Sequence, residues 1–312
     1  MEPIDLLVLG DANPDLVMRG GDVVPAFGQA ERVVDEATLT IGGSGAILAC
    51  GAARLGLRVA LCGVVGNDLF GRYMCDALRS RGVDIRGLVV DPEGVTGITV
   101  VLAALDDRAM LTATGSMGSL RVASIDPELL GAARHIHVSS YFLQVGLWPD
   151  LQQVFDDVHG LGGTTSVDPN WDPAGVWDGG IMRLLPRTDV FLPNAMEAMR
   201  LGHISDLEEA VRRLRAETSM VVVKQGADGA HASTTGETAH VPGIPARVVD
   251  ATGAGDSFDA GFLAAWLADM PLERCLAIGN ACGALSTRAV GGTGGQPTMD
   301  EVLEAIERGS AP

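Results

Sequence analysis

The segment Asp250-Ala-Thr-Gly-Ala-Gly-Asp256-Ser-Phe-Asp-Ala-Gly-Phe262 joins a glycine-rich turn, a helix start and a carboxylate. Each has a use in chemistry on anions. Glycines allow the backbone to approach a phosphate closely. The first turn of a helix has N–H groups without intrahelical partners, and its dipole favours negative charge. A carboxylate at that position, Asp256, can take a proton from an attacking hydroxyl. The plainer reading is that Asp256 only complements the helix dipole and that the glycines only make a tight turn.

The element that must position this carboxylate is legible from spacing. Phe258, Gly261, Phe262, Ala265 and Trp266 recur at the period of a buried helix face. Elsewhere, short apolar runs alternate with helical patterns. Strands are expected at Ile4–Gly10, Arg58–Val65, His135–Ser139, Thr165–Asp168, Asp189–Pro193 and Met220–Lys224. Helices are expected at Ser44–Leu57, Phe70–Arg81, Pro149–Leu161, Asp206–Thr218 and Met299–Glu307. This alternation implies βαβ units, a mostly parallel sheet and helices on both faces. Asp15–Thr40 and Thr96–Thr114, with the run Gly97–Leu105, break the rhythm and read as a small β-layer, a lid beside the main sheet.

Composition narrows the class. The chain has 312 residues, is 47% hydrophobic and carries a net charge of −18. That apolar content supplies a core, and the acidity argues against nucleic acid or an anionic membrane as a partner. Five scattered cysteines without a C-x-x-C pair point to reduced thiols in a cytoplasmic protein. No signal peptide or spanning run is visible, and the start Met1-Glu2-Pro3 lacks a basic region. His135 and His137 alternate in a strand and read as core or surface residues rather than ligands. Asn194 and Glu197 have the spacing of a capping box. Asn13 and Asp15 follow the first strand, where turn formers are favoured for local reasons.

The signature around Asp256 closely resembles that of the ribokinase-like (PfkB) carbohydrate kinases, and further motifs follow in the family's order. They are Gly10-Asp-Ala-Asn13-Pro-Asp15, Gly42-Gly43-Ser-Gly45, Gly66-Asn-Asp68-x-x-Gly71, Asn194-x-x-Glu197 and Lys224-Gln-Gly226-x-x-Gly229. The resemblance implies a three-layer α/β/α, doubly wound fold with a small β-lid at about 12–40 and 95–115, in one domain over 1–312. It implies transfer of the γ-phosphoryl group of ATP to a hydroxyl of a small sugar-like molecule. Asp256 would be the base, and Gly253, Ala254 and Gly255 the anion hole. Asn13, Asp15, Gly42, Gly43, Ile47, Gln144 and Asp168 would face the acceptor. Asn194, Lys224, Gly226, Gly229, Gly255 and Asn280 would bind ATP. Asn194 and Glu197 would organise Mg²⁺ through water, and Asp250 and Thr252, with carbonyls around Ala289 to Gly295, would form a monovalent-cation site for K⁺. Strand pairing through the lid would give a homodimer.

Three positions depart from the family pattern. Ile47 stands where Asn commonly contacts the sugar, Gln144 where ribokinases use a carboxylate, and Lys224 where Thr is usual. They weigh against ribose itself as the acceptor. A nucleoside kinase of the same family and a non-catalytic sugar-binding protein are the alternatives. A dinucleotide-dependent oxidoreductase is disfavoured, because the turn after the first strand is Gly10-Asp-Ala-Asn13 and not G-x-G-x-x-G.

Overall fold

The computed structural model describes residues 3–104 and 108–309. Met1 and Glu2 of the N-terminal reading, and Leu105 at the end of the expected lid run, lie outside the described residues. The strands are β1 (Leu6–Leu9), β2 (Asn13–Arg19), β3 (Glu36–Gly42), β4 (Val59–Gly66), β5 (Leu88–Asp91), β6 (Ile98–Ala103), β7 (Arg108–Ala113), β8 (His135–Val138), β9 (Thr164–Val167), β10 (Val190–Phe191), β11 (Met220–Lys224), β12 (Ala230–Thr234) and β13 (Thr238–Val241). The helices are α1 (Ser44–Arg54), α2 (Leu69–Ser80), α3 (Pro127–Ala132), α4 (Leu151–Gly160), α5 (Ile181–Leu184), α6 (Ala195–Leu201), α7 (Leu207–Arg215), α8 (Ala254–Trp266), α9 (Leu272–Ser286) and α10 (Met299–Gly309).

Nine strands form the main sheet in the order β13-β12-β11-β10-β9-β8-β1-β4-β5. Its pairings are parallel from β5 to β11, and β12 and β13 add an antiparallel hairpin at one edge. Both faces are covered, so β1 and β4 are buried throughout. Alternation decides which face each side chain joins. Leu6 and Val8 enter the core under α1, α8 and α9, while Leu7 and Leu9 enter the core under α4 and α6. From β1 the chain winds one way to β4 and β5, then returns to wind the other way through β8 and β9. The strand order therefore reverses between β1 and β8, and a crevice opens at their carboxyl ends, where doubly wound folds bind ligands.

The second sheet has four strands in the order β3-β2-β6-β7. Its ties to the main body are specific. Asp68 caps α2 by accepting from the Gly71 N–H at 2.8 Å, and also accepts from the N–H and hydroxyl of Thr96 at 2.8 Å each. The Gly66–Gly71 motif thus anchors the chain entering β6. A Cβ on Gly71 would lie 2.0 Å from the Gly66 carbonyl, so only glycine fits there.

The expected segments correspond to observed ones with ends shifted by a few residues. The β12–β13 hairpin and the 15-residue α9 were not anticipated. α9 mixes cysteine, glycine and alanine with leucine and is buried on most sides, so no clean stripe marks it. His135 and His137 are core residues, hydrogen-bonded to Thr164, Ser166 and Ser139. All five cysteines are free. Among the described residues no helix is long and apolar enough to cross a membrane.

Candidate active site

The helix α8 begins at Gly253, whose φ of 72° is a left-handed conformation that L side chains rarely adopt. A Cβ there would also meet Gly292 at 2.8 Å and Ile47 at 2.9 Å. The turn therefore needs glycine for both conformation and space. The Ala254 N–H donates to the Ala251 carbonyl at 3.3 Å. Among the described residues, the N–H groups of Gly253, Gly255 and Asp256 meet no protein acceptor. Gly255 is exposed, and Asp256, in the first turn, is half-buried with its carboxyl toward Ser44 at the start of α1. These amides and the Asp256 carboxylate thus share one mouth.

Burial, followed by repulsion from Asp168, raises the Asp256 pKa to about 7, against opposition from Lys224. A base titrating there is well matched to neutral pH. Asp11 lies alongside. Its carboxylate accepts from the Gly45 N–H at 3.0 Å and its carbonyl from the Ala46 N–H at 3.1 Å, so α1 is capped by the chain itself.

Beneath the lid, Asn13 and Asp15 open β2 and are buried, with the Asn13 amide donating to Asp15 at 3.3 Å. Gly42 and Gly43 run past them so tightly that a Cβ would stand 2.0 Å from Asp15 Oδ1 and 2.7 Å from Asn13 Oδ1. Burial and the neighbouring Asp11, Asp256 and Asp250 raise the Asp15 pKa to about 7. Among the described residues Asn13 Oδ1 has no partner, and neither do the nitrogen and oxygen of the Gln144 amide, which is fully buried. Buried orphans of this kind call for a ligand or water. Ile47 is buried and wedged against Gly253 and Gly292, beside the turn that starts α8.

The resemblance implies different ligands for Lys224 and Asp168, yet the structure joins the two side chains. Lys224 Nζ lies 2.6 Å from Asp168 Oδ2 and 2.9 Å from Asp259 Oδ2, and the other Asp168 oxygen accepts from the Asn170 N–H. Burial works against the ammonium, but the two carboxylates outweigh it and keep it charged. Against the effect of burial, Lys224 holds Asp168 low, whereas burial pushes Asp259 up. The ammonium also lies 3.8 Å from where a Gly255 Cβ would be, beside the anion turn. Asp259 had been given no role, although its position one helical turn after Asp256 marked it as facing the same way.

Asn194 and Glu197 form a full capping box on α6: the Asn194 N–H and amide donate to Glu197 at 2.8 and 2.6 Å, and Glu197 N–H donates to Asn194 at 2.9 Å. Glu197 is buried, which first of all raises its pKa to about 7. Gly226 sits at a φ of 59° in a turn with open space around it, and Gly229, at 93°, closes against the Val241 carbonyl. The Asn280 amide is committed to the carbonyls of Val241 and Pro242. Asp250 accepts from the N–H groups of Thr252 and Gly291 at 2.9 Å each, and Arg108 from the lid donates to the Thr252 hydroxyl at 3.0 Å. Nothing in the sequence singled out Arg108.

A doubly wound sheet beside a small second sheet, with an amide-lined turn next to a carboxyl that titrates near neutrality, suits a phosphotransferase. Comparison with known proteins gives the family. The model of the pfkB family carbohydrate kinases matches residues 4–299. An ATP-dependent ribose-1-phosphate kinase from Halopiger xanaduensis is 32% identical over 306 residues, covering 96% of this chain and 97% of the relative. A fructokinase from Klebsiella pneumoniae is 32% identical, covering 85% and 91%. Among solved structures, a candidate ribokinase II from E. coli, in complex with ATP and Mg²⁺, superposes with a TM-score of 0.87 at 27% identity over 98% of this chain and 99% of that one. Arabidopsis thaliana ribokinase shares the fold, with a TM-score of 0.83 at 24% identity over 98% and 99%. The chain belongs to the pfkB family of carbohydrate kinases and is a sugar or nucleoside kinase.

Proposed function

We propose that this kinase transfers the γ-phosphoryl group of ATP to a hydroxyl of a small sugar or sugar derivative, with Asp256 as the base. The observation that carries this is the shared mouth of α8, where bare amides adjoin a half-buried carboxylate with a pKa near 7. The acceptor oxygen bonds to the γ-phosphorus while the bond from that phosphorus to the β–γ bridging oxygen breaks. The bridging oxygen keeps the electron pair and leaves as ADP. The acceptor proton moves to Asp256. The amides of Gly253, Gly255 and Asp256 receive the charge on the transferring group, and Lys224 adds a fixed positive charge alongside.

The acceptor would lie between β2 and the lid, met by Asn13, Asp15 and the orphaned amide of Gln144. The open turn at Gly226 would receive the remaining phosphates, next to the main sheet. Mg²⁺ would screen charge between those phosphates. The residues present fit it through water: both Glu197 oxygens already accept from Asn194, so direct ligation would break the capping box. Among the described residues no cluster of three or more His, Cys, Asp or Glu side chains is set to hold a metal directly. Asp168, whose oxygens are both occupied, acts in this reading by holding Lys224.

An ATP-coupled screen over sugars, sugar phosphates and nucleosides tests the proposal. A sugar or sugar phosphate should be the preferred acceptor, with turnover abolished by D256N. A clear preference for nucleosides would replace it with the nucleoside-kinase reading, and thermal stabilisation by sugars without turnover with the binding-protein reading.

A further inference from the structure

The shelf formed by Asp250 and Thr252 is where the resemblance implied a monovalent cation. Its carboxylate is mostly buried, with side-chain exposure of 8%, and one oxygen accepts from Gly291 N–H, the other from Thr252 N–H. The positive charge facing it comes from the protein. Arg108, the first residue of lid strand β7, reaches over the cleft. Its Nη1 lies 3.0 Å from Thr252 Oγ1 and 3.9 Å from Asp250 Oδ1. A buried carboxylate requires a counter-charge, and a guanidinium this close repels a second cation from the same oxygen. The donor set therefore fits a monovalent ion poorly while Arg108 is in place.

We infer that Arg108 is a positioning residue that replaces the monovalent cation at this shelf and couples lid closure to the catalytic turn. The coupling path is short. Thr252 immediately precedes Gly253, whose left-handed conformation sets the anion turn, and Gly291 abuts Thr40 of lid strand β3. Asp250 thus joins the turn to the loop beneath one lid strand, and Arg108 joins it to another. When the lid opens, the shelf loses its counter-charge; when the lid closes, the charge returns and the turn is fixed. The inference deepens the kinase reading, and its test includes a measurement independent of that reading.

Thermal unfolding without ATP or sugar is compared for wild type, R108M, R108Q and R108K in choline, sodium and potassium chloride at matched ionic strength. Wild type should unfold at the same temperature in all three salts. R108M, or R108Q should R108M not fold, should unfold earlier in choline and recover more in potassium than in sodium. R108K should resemble wild type in choline. In the kinase assay, R108M should raise the acceptor KM by about tenfold, the loss expected for one charge-assisted hydrogen bond, with partial rescue by potassium. A wild-type unfolding temperature that rises specifically with potassium, as much as that of R108M, would overturn the replacement. An R108M protein with unchanged KM and no cation response would overturn the coupling. Absence of turnover on any acceptor would count against the proposed function and leave the unfolding comparison to decide this one.

Discussion

Two helices in the cleft start in the same way and end up with opposite tasks. Both α1 and α8 follow a glycine with positive φ, 80° at Gly43 and 72° at Gly253, and they pack against each other. At α1 the chain satisfies its own first amides, with Asp11 accepting from Gly45 and Ala46. At α8 three N–H groups near the start have no acceptor among the described residues, and glycine at 255 leaves the approach open. The two N-termini thus differ in what the surrounding chain delivers to them. The turn after β1 delivers the Asp11 carboxylate to α1, whereas the loop before α8 delivers only a turn.

Four experiments break or sharpen this contrast. D256N should lower kcat by ~10²–10⁴-fold while ATP affinity, measured by calorimetry, stays close to wild type. G255A should fold normally, since its Cβ would meet nothing closer than Lys224 Nζ at 3.8 Å. The methyl group would stand where phosphate must approach, and turnover should fall about tenfold or more at an unchanged unfolding temperature. In wild type, kcat/KM should drop about tenfold per pH unit below an inflection near 7, because the base must be ionised to accept a proton. D11A should do the converse of G255A. It strands the Gly45 N–H at the structural helix and should cost about 1–2 kcal/mol in denaturant unfolding, with ATP affinity unchanged.

The helix α8 was readable because its sequence combines a local need for glycine with a clean buried stripe. The capping box at Asn194 and Glu197 was readable for the same reason: spacing alone sets it. Long-range partnerships were not. Lys224 and Asp168 lie far apart in the chain, on strands that are not adjacent, and only the completed sheet places their charges at 2.6 Å. Asp259 was half legible, since helix geometry turns it toward the site but does not name its partner. The packing of Ile47 against Gly253 and Gly292 was not legible, because those glycines lie more than 200 residues further along the chain. The β12–β13 hairpin lacks strongly alternating hydrophobic residues, and its ladder with β11 identifies it only in three dimensions.

The paired imidazoles of β8 bear on how the folded protein meets mild acid. Burial keeps His137 down near 3 and His135 well below its ordinary range, so unfolding at pH 5 would take protons up at both. Those two groups favour the native state above about 6.5 and cost stability as pH falls below it. Asp15, Glu197 and Asp256 act in the opposite direction. Titrating near 7 when folded and near 4 when unfolded, they retain protons through the same interval and release them on unfolding. Their contribution is greatest in acid and declines as pH rises through 7. Proton uptake and release at these five groups therefore offset each other between about pH 4 and 6.5, and the buried histidines serve as ballast for a cleft crowded with carboxyl groups.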